Sequence, residues 1–151
     1  MKLRAILFVV LCGICLSGLA AQEQTDEKAA IIKTVESAYR DGLINVGDAA
    51  LVRAGFHPVF VLIGRNGDEI WQLPIEKWIE RMEGDKKAGK IPRAEKVSFQ
   101  FPLIDITGDT AMVKVAFFRG DVLTYTDYLL LYKFSDGWKL VSKVFHQHPA
   151  K

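Results

Sequence analysis

Cysteine is almost absent from this sequence. The two that occur, Cys12 and Cys15, both fall within the first twenty residues. That stretch has three parts in order: a positive start from Lys2 and Arg4, an apolar run from Ala5 to Leu16 broken only by Gly13, and the small residues Ser17-Gly18-Leu19-Ala20-Ala21. The order is that of a secretory signal peptide, with an apolar core shorter than the ~20 residues of a membrane span. Ile14 is too bulky to precede a lipid-modified Cys15, so cleavage after Ala20 is expected. Residues 1–20 then form the leader and 21–151 a single domain, secreted or periplasmic, with no membrane segment after cleavage. Without cysteine that domain forms no disulfide and carries out no thiol or thiolate–metal chemistry.

Charge of one sign is also missing. Removing the leader takes away Lys2 and Arg4, which lowers the 20 basic residues to 18, equal to the 18 acidic ones. The mature domain is neutral, which argues against binding through bulk charge. The cluster Lys86, Lys87, Lys90 and Arg93 is diluted by Glu83 and Asp85 and has no interleaved aromatics, so no nucleic acid is expected as partner. A glycine-rich phosphate loop, a nucleophile elbow and an HExxH motif are all lacking. Histidine occurs only at 57, 146 and 148. The alternating His146-Gln147-His148 puts two imidazoles on one side of a strand, but beside the C-terminus the pair reads as solvent-exposed. No metal and no other cofactor is expected.

What is present is clear periodicity. Thr25 or Asp26 caps a helix to about Asn45, with Ile32, Val35, Tyr39 and Gly42 on one stripe, widened by Ile31 and Ala38. A short helix at 49–54 is stopped by Gly55 and Pro58. Val59 to Ile63 and Glu69 to Leu73 flank Asn66-Gly67 as a hairpin. Pro74 opens a helix over 75–87, whose stripe is Ile75, Trp78, Ile79 and Met82. Four long strands follow at 95–106, 110–119, 122–134 and 138–147, separated by Gly108-Asp109, Gly120-Asp121 and Asp136-Gly137. Segregated helices and antiparallel strands define an α+β domain.

Two-residue loops at the last two turns set a register. Asp127 then lies opposite His146, Tyr125 opposite His148, and Lys114 opposite Asp127. The row Lys114–Asp127–His146 shares a face with Leu129, Leu131, Leu140 and Val144, while Val113, Val115, Phe117, Tyr128, Leu130 and Phe145 take the other. A carboxylate that orients an imidazole makes a general base near neutral pH, so Asp127 and His146 are candidate catalytic residues. Tyr39 is a third, as a hydroxyl donor. The candidate ligand contacts are Tyr39, His57, Trp71, Trp78 and Tyr125. Each also has a plain structural role as a core aromatic or helix-end residue, and for the Asp127–His146 pair a structural ion pair is the reading that the sequence alone favours. Both sheet faces are apolar, so one packs on the helices and the other meets a second subunit.

Several phrases in this order resemble the nuclear-transport-factor-2-like (NTF2-like) superfamily, and more narrowly its putative lumazine-binding and SnoaL-like groups. They are Tyr39-Arg40-Asp41-Gly42, Gly47-Asp48 leading to Phe56-His57-Pro58, Gly108-Asp109-Thr110-Ala111, Tyr125 to Leu131, and Gly137 to Phe145. The resemblance implies a cone: a curved antiparallel sheet wrapped on about three helices, open at one end and often dimeric through its outer face. Relatives hold ligands or acid–base residues in the cone without a cofactor. The expected function is binding of a small apolar or aromatic molecule in the cavity. The alternatives are a cofactor-free isomerase, dehydratase or hydrolase using Asp127 with His146 or Tyr39, and a homodimeric interaction module whose cavity is plugged by Trp71 and Trp78.

Overall fold

The computed structural model describes residues 22–149, so the leader expected at 1–20 lies outside the described residues. Helix α1 covers 22–46, and its second half, Val35–Val46, winds as a π-helix. A π-helix of this length is unusual, because such winding mostly occurs as single-turn bulges, frequently at functional sites. It ends where Gly47 turns left-handed (φ +69°) and returns its N–H to the Gly42 carbonyl. Helix α2, Ala49–Gly55, is capped by Asp48, which accepts from the Ala50 and Leu51 N–H groups. Gly55 marks the close crossing of α1 and α2: a Cβ there would lie 2.4 Å from the Ala38 Cβ.

The strands are β1 (Phe56–Asn66), β2 (Glu69–Pro74), β3 (Val97–Thr107), β4 (Thr110–Arg119), β5 (Val122–Phe134) and β6 (Gly137–Gln147), with helix α3 (Ile75–Lys87) between β2 and β3. They form one six-stranded sheet in the order β2-β1-β6-β5-β4-β3. Every pairing is antiparallel except that of β1 with β6, which is parallel. The helices fill the concave side. Ile31, Val35, Ala38, Tyr39 and Leu43 of α1 and Ile75, Ile79 and Met82 of α3 are buried with Val113, Val115, Leu129, Leu131 and Leu140 of the sheet. Polar ties fix the helices to the sheet. Glu27 accepts from Lys133 Nζ (2.6 Å) and Trp138 Nε1 (2.7 Å), joining the start of α1 to the β5–β6 end. Asn45 pairs through both side-chain atoms with the Val97 backbone and so holds β3 to the end of α1.

Two β-bulges and one displaced turn overturn the expected register. In the β5–β6 hairpin the turn residues are Ser135-Asp136, because Phe134 pairs with Gly137. Val141 is then an extra residue between the pairs Leu131–Leu140 and Leu130–Ser142. In β4–β5 the expected Gly120-Asp121 turn is present, since Arg119 pairs with Val122, but Thr124 is an extra residue further along. Asp127 therefore lies between Val115 and Phe145 and does not face His146. Lys114 faces Tyr128, and Tyr125 faces Gln147, not His148. The row Lys114–Asp127–His146 does not exist. Side chains alternate with period two, so one inserted residue reverses which face every later side chain occupies. The expected face groupings change with it. Asp127, Leu129 and Leu131 share the concave face with Val113 and Val115, while Tyr128, Leu130, Tyr132 and Val144 are exposed on the other side.

Candidate functional site

The bulge at Val141 turns Lys143 inward, and that single consequence creates the site. Among the described residues, Asp127 and Lys143 are the buried charged side chains, at 0% and 5% exposure. They lie diagonally across β5 and β6, and Lys143 Nζ donates to Asp127 Oδ2 at 2.8 Å. Tyr39, from the π-helical part of α1, donates its hydroxyl to the same carboxylate oxygen at 2.9 Å. Lys143 Nζ also donates to the Tyr39 hydroxyl oxygen. Asp127 Oδ1 is buried and has no hydrogen-bond partner. The ammonium lies over the rings of Tyr39 (4.5 Å), Phe145 (5.4 Å) and Trp78 (5.6 Å), where the ring faces favour a cation.

Two opposed effects set the charges. Burial lowers the pKa of Lys143, and the charge and hydrogen bond of Asp127 oppose that shift. Burial raises the Tyr39 hydroxyl well above the ordinary phenol range, and the neighbouring Asp127 charge raises it further. Tyr39 is therefore a firm donor at neutral pH. Lys143 Nζ has a proton acceptor, Asp127 Oδ2, directly beside it. Taking such a pair out of water costs several kcal/mol per ion before their attraction offsets it.

The cluster forms the floor of a cavity of about 260 Å³. Its walls are apolar and aromatic, from Ile44, Leu62, Trp78, Phe117, Tyr125 and Phe145; Tyr39 and Lys143 line it, with Arg93, Arg119 and Gln147. Arg93 and Arg119 are exposed, which places cationic groups at the solvent side of the cavity. The volume lies just below the ~300–1,000 Å³ typical of ligand pockets, which suits a small ligand. Larger concavities exist on the surface, such as one of about 470 Å³ beside Arg65, Asn66, Trp71 and His146. No buried charged group lines it, so the Lys143 cavity is the candidate site.

The residues singled out in the sequence are divided by this geometry. Tyr39, Trp78 and Tyr125 line the cavity, and Asp127 lies directly behind it. Trp71 lies over Gly64 at the β1–β2 rim, with its ring 6.1 Å from Phe145, outside the cavity lining. His57 stacks on Phe134 at 4.9 Å, away from the cavity. His146 is exposed and makes an edge contact with His148, whose ring nitrogen bonds the Thr126 hydroxyl. Among the described residues no group of three or more His, Cys, Asp or Glu is arranged to hold a metal ion. Lys143 was missed in the sequence, where it stands between Ser142 and Val144 as an ordinary polar residue of a strand. The available signal was Val141-Ser142, a place where the strand's alternation can slip.

A curved sheet closed on one side by three helices around such a cavity is an NTF2-like α+β domain. Over residues 26–146 the chain matches the putative lumazine-binding family of that superfamily, and it belongs to that family. Solved structures share the fold. An NTF2-like protein of unknown function from Shewanella baltica OS155 is 22% identical, with TM-score 0.64 over 83% of this chain and 97% of its own. One from Silicibacter pomeroyi DSS-3 is 18% identical, with TM-score 0.64 over 85% and 98%. A cystatin-like domain of unknown function from Nostoc punctiforme PCC 73102 is 12% identical, with TM-score 0.59 over 83% and 80%. Among curated proteins, the aldolase FrzH of a Cladobotryum species is 28% identical over 104 residues, 68% of this chain and 78% of that protein.

Proposed function

We propose that this is an exported NTF2-like domain whose cavity binds a small carbonyl compound and moves protons next to that carbonyl without a cofactor. The observation that carries this reading is a buried lysine, bonded to a buried carboxylate and a tyrosine hydroxyl, lining an aromatic cavity. Buried ionisable groups are expensive, and in a cleft they mark acid–base work. In this reading Lys143 and Tyr39 face the ligand. Tyr39 is the donor that stabilises negative charge growing on a carbonyl oxygen, and the Lys143 amine, once its proton has passed to Asp127, takes the proton from the neighbouring carbon. Asp127 lies behind them as the positioning residue that exchanges a proton with Lys143. The aromatic walls accept a flat apolar body, and Arg93 and Arg119 suit an anionic end. The Cladobotryum relative, an aldolase by name, supports carbonyl chemistry. The family's description supports ligand binding.

Phenylpyruvate, a flat ring joined to a carbonyl and a carboxylate, is the probe of choice. The protein is expected to accelerate exchange of its methylene protons into D2O at least ~100-fold over buffer, read by proton NMR. Lys143→Met should return the rate to background. Equal rates with and without Lys143 would remove the reading.

Export and dimerisation belong to the same proposal. The outer sheet face exposes Leu103, Tyr128, Leu130, Tyr132 and Val144, each 40–47% accessible, an apolar patch of the kind that meets a second subunit. Native mass spectrometry of protein taken from its own compartment is expected to give a chain beginning at Ala21, a twofold mass and a retained small molecule. A chain beginning at Met1 would remove export, and a monomer at micromolar concentration would remove the dimer.

A further inference from the structure

We propose that Lys143 is a nucleophile that captures the carbonyl of a small oxo acid as a protonated imine, with Asp127 carrying the protons. The inference rests on the carbonyl-binding reading above and names the covalent step and substrate class of the same site. Three features distinguish Lys143 from a lysine that serves only as a structural counter-ion. It lines the cavity while remaining 5% exposed, so a bound carbonyl meets the side chain and bulk water does not. Burial penalises its cation and so favours the neutral amine, and although the Asp127 charge opposes that shift, Oδ2 lies 2.8 Å away as the acceptor for the departing proton. The carboxylate is also only half satisfied: Oδ2 holds both Tyr39 and Lys143, whereas Oδ1 is buried with no partner. A purely structural ion pair would be expected to satisfy both oxygens. The other lysines of the strands show the contrast. Lys133 pairs with Glu27 and Lys139 with Asp136, and Lys114 is on the outer face near Tyr128.

The step balances within the cluster. The Lys143 ammonium gives one proton to Asp127, and the free amine's electron pair forms a bond to the carbonyl carbon as the carbon–oxygen double bond opens. The nitrogen passes a second proton to that oxygen, giving a neutral carbinolamine. Asp127 returns its proton to Tyr39 as the Tyr39 hydroxyl passes its own to the carbinolamine hydroxyl, water leaves, and the nitrogen lone pair closes a carbon–nitrogen double bond. The products are a protonated imine on Lys143, one water and the Asp127 carboxylate, with no oxidant or reductant consumed. Tyr39, held as a neutral hydroxyl, is the donor for the oxygen while charge develops on it. The resulting cation draws electrons from the adjacent carbon, so the same adduct explains how protons there become labile. The carboxylate of the oxo acid points toward Arg93 and Arg119, and its apolar part meets Trp78, Phe117 and Tyr125.

Borohydride trapping tests this on the whole protein with phenylpyruvate as probe. Reduction of an imine leaves a stable secondary amine, located by peptide mass mapping. The expected result is one adduct per chain, on the peptide containing Lys143, formed at least ~10-fold more slowly in Asp127→Asn, which retains the hydrogen-bonding shape but not the base. Mapping in the unaltered protein requires no folded lysine variant. Adducts spread over the surface lysines with none on Lys143 would overturn the proposal. Methylene exchange with no adduct would overturn the covalent step and leave the proton-transfer reading intact. Absence of both exchange and adduct would overturn the two together.

Discussion

Lys143→Met is expected to cost the protein about 3–5 kcal/mol of stability, because it leaves the Asp127 carboxylate buried without its cation. Asp127→Leu should cost a similar amount by stranding the ammonium at 5% exposure. The double variant is the informative one. With both charges gone, the space is filled by apolar groups among Tyr39, Trp78, Val115 and Phe145, and the loss should be much smaller than either single loss. Urea unfolding of the four proteins measures this, and additive single losses would refute the buried pair. The pH dependence has a definite sign. Burial lowers Lys143 in the folded protein, so between its folded value and the unfolded value of about 10.4 the unfolded chain binds more protons. Stability from this group therefore rises with pH through that window. Tyr39 acts in the opposite direction, because its folded value is raised. Its contribution is complete below the unfolded value of about 10 and is lost as pH rises through the folded one. Lys143→Met should abolish the rise, and Tyr39→Phe should abolish the alkaline loss.

Tyr39→Phe is expected to lower proton exchange on phenylpyruvate by roughly 10²–10⁴-fold, the usual range for a positioned acid or base. The ring should remain where it is. It packs edge-on against Phe56 (6.3 Å) and Trp78 (5.8 Å) and tilted against Phe99 (5.0 Å) and Phe117 (6.3 Å), and none of these contacts needs the hydroxyl. Two buried hydrogen bonds are lost, the one donated to Asp127 and the one accepted from Lys143, each to a charged group and each worth about 1.5–3 kcal/mol. A change in kcat with little change in probe affinity would place the hydroxyl in the chemistry. Unchanged exchange would leave Tyr39 as a structural partner of Asp127 alone. The π-helical winding bears on this result, since a side chain in Val35–Val46 takes its direction from a turn wider than that of an α-helix.

The cysteines show how much the order of residues alone determined. Cys12 and Cys15 lie among the first twenty residues, so the described domain, 22–149, contains no thiol, and disulfide or thiolate chemistry has no place in it. The element order was equally legible, because each signal was local: Pro74 opening α3, the Asn66-Gly67 signal beside the Gly67-Asp68 turn from β1 to β2, and the apolar stripe of α1 carrying Tyr39 to the interior. Asp127, Tyr39, Trp78 and Tyr125 were identifiable as chemistry-bearing residues for the same reason. Their partners were not. Sequence spacing paired Asp127 with His146 and Lys114. The Lys114 pairing failed because Thr124 inserts one residue into the β4–β5 ladder, and the His146 pairing failed because the β5–β6 turn is Ser135-Asp136 and Val141 adds a residue beyond it. A bulge is a small local irregularity, yet beyond it every side chain changes face. Which strand absorbs it depends on how the curved sheet closes around the helices, which no single strand encodes. The sequence therefore determined the elements, the absence of thiols from the described domain and three cavity residues. Only the tertiary structure decided that Lys143, and not His146 or Lys114, meets Asp127.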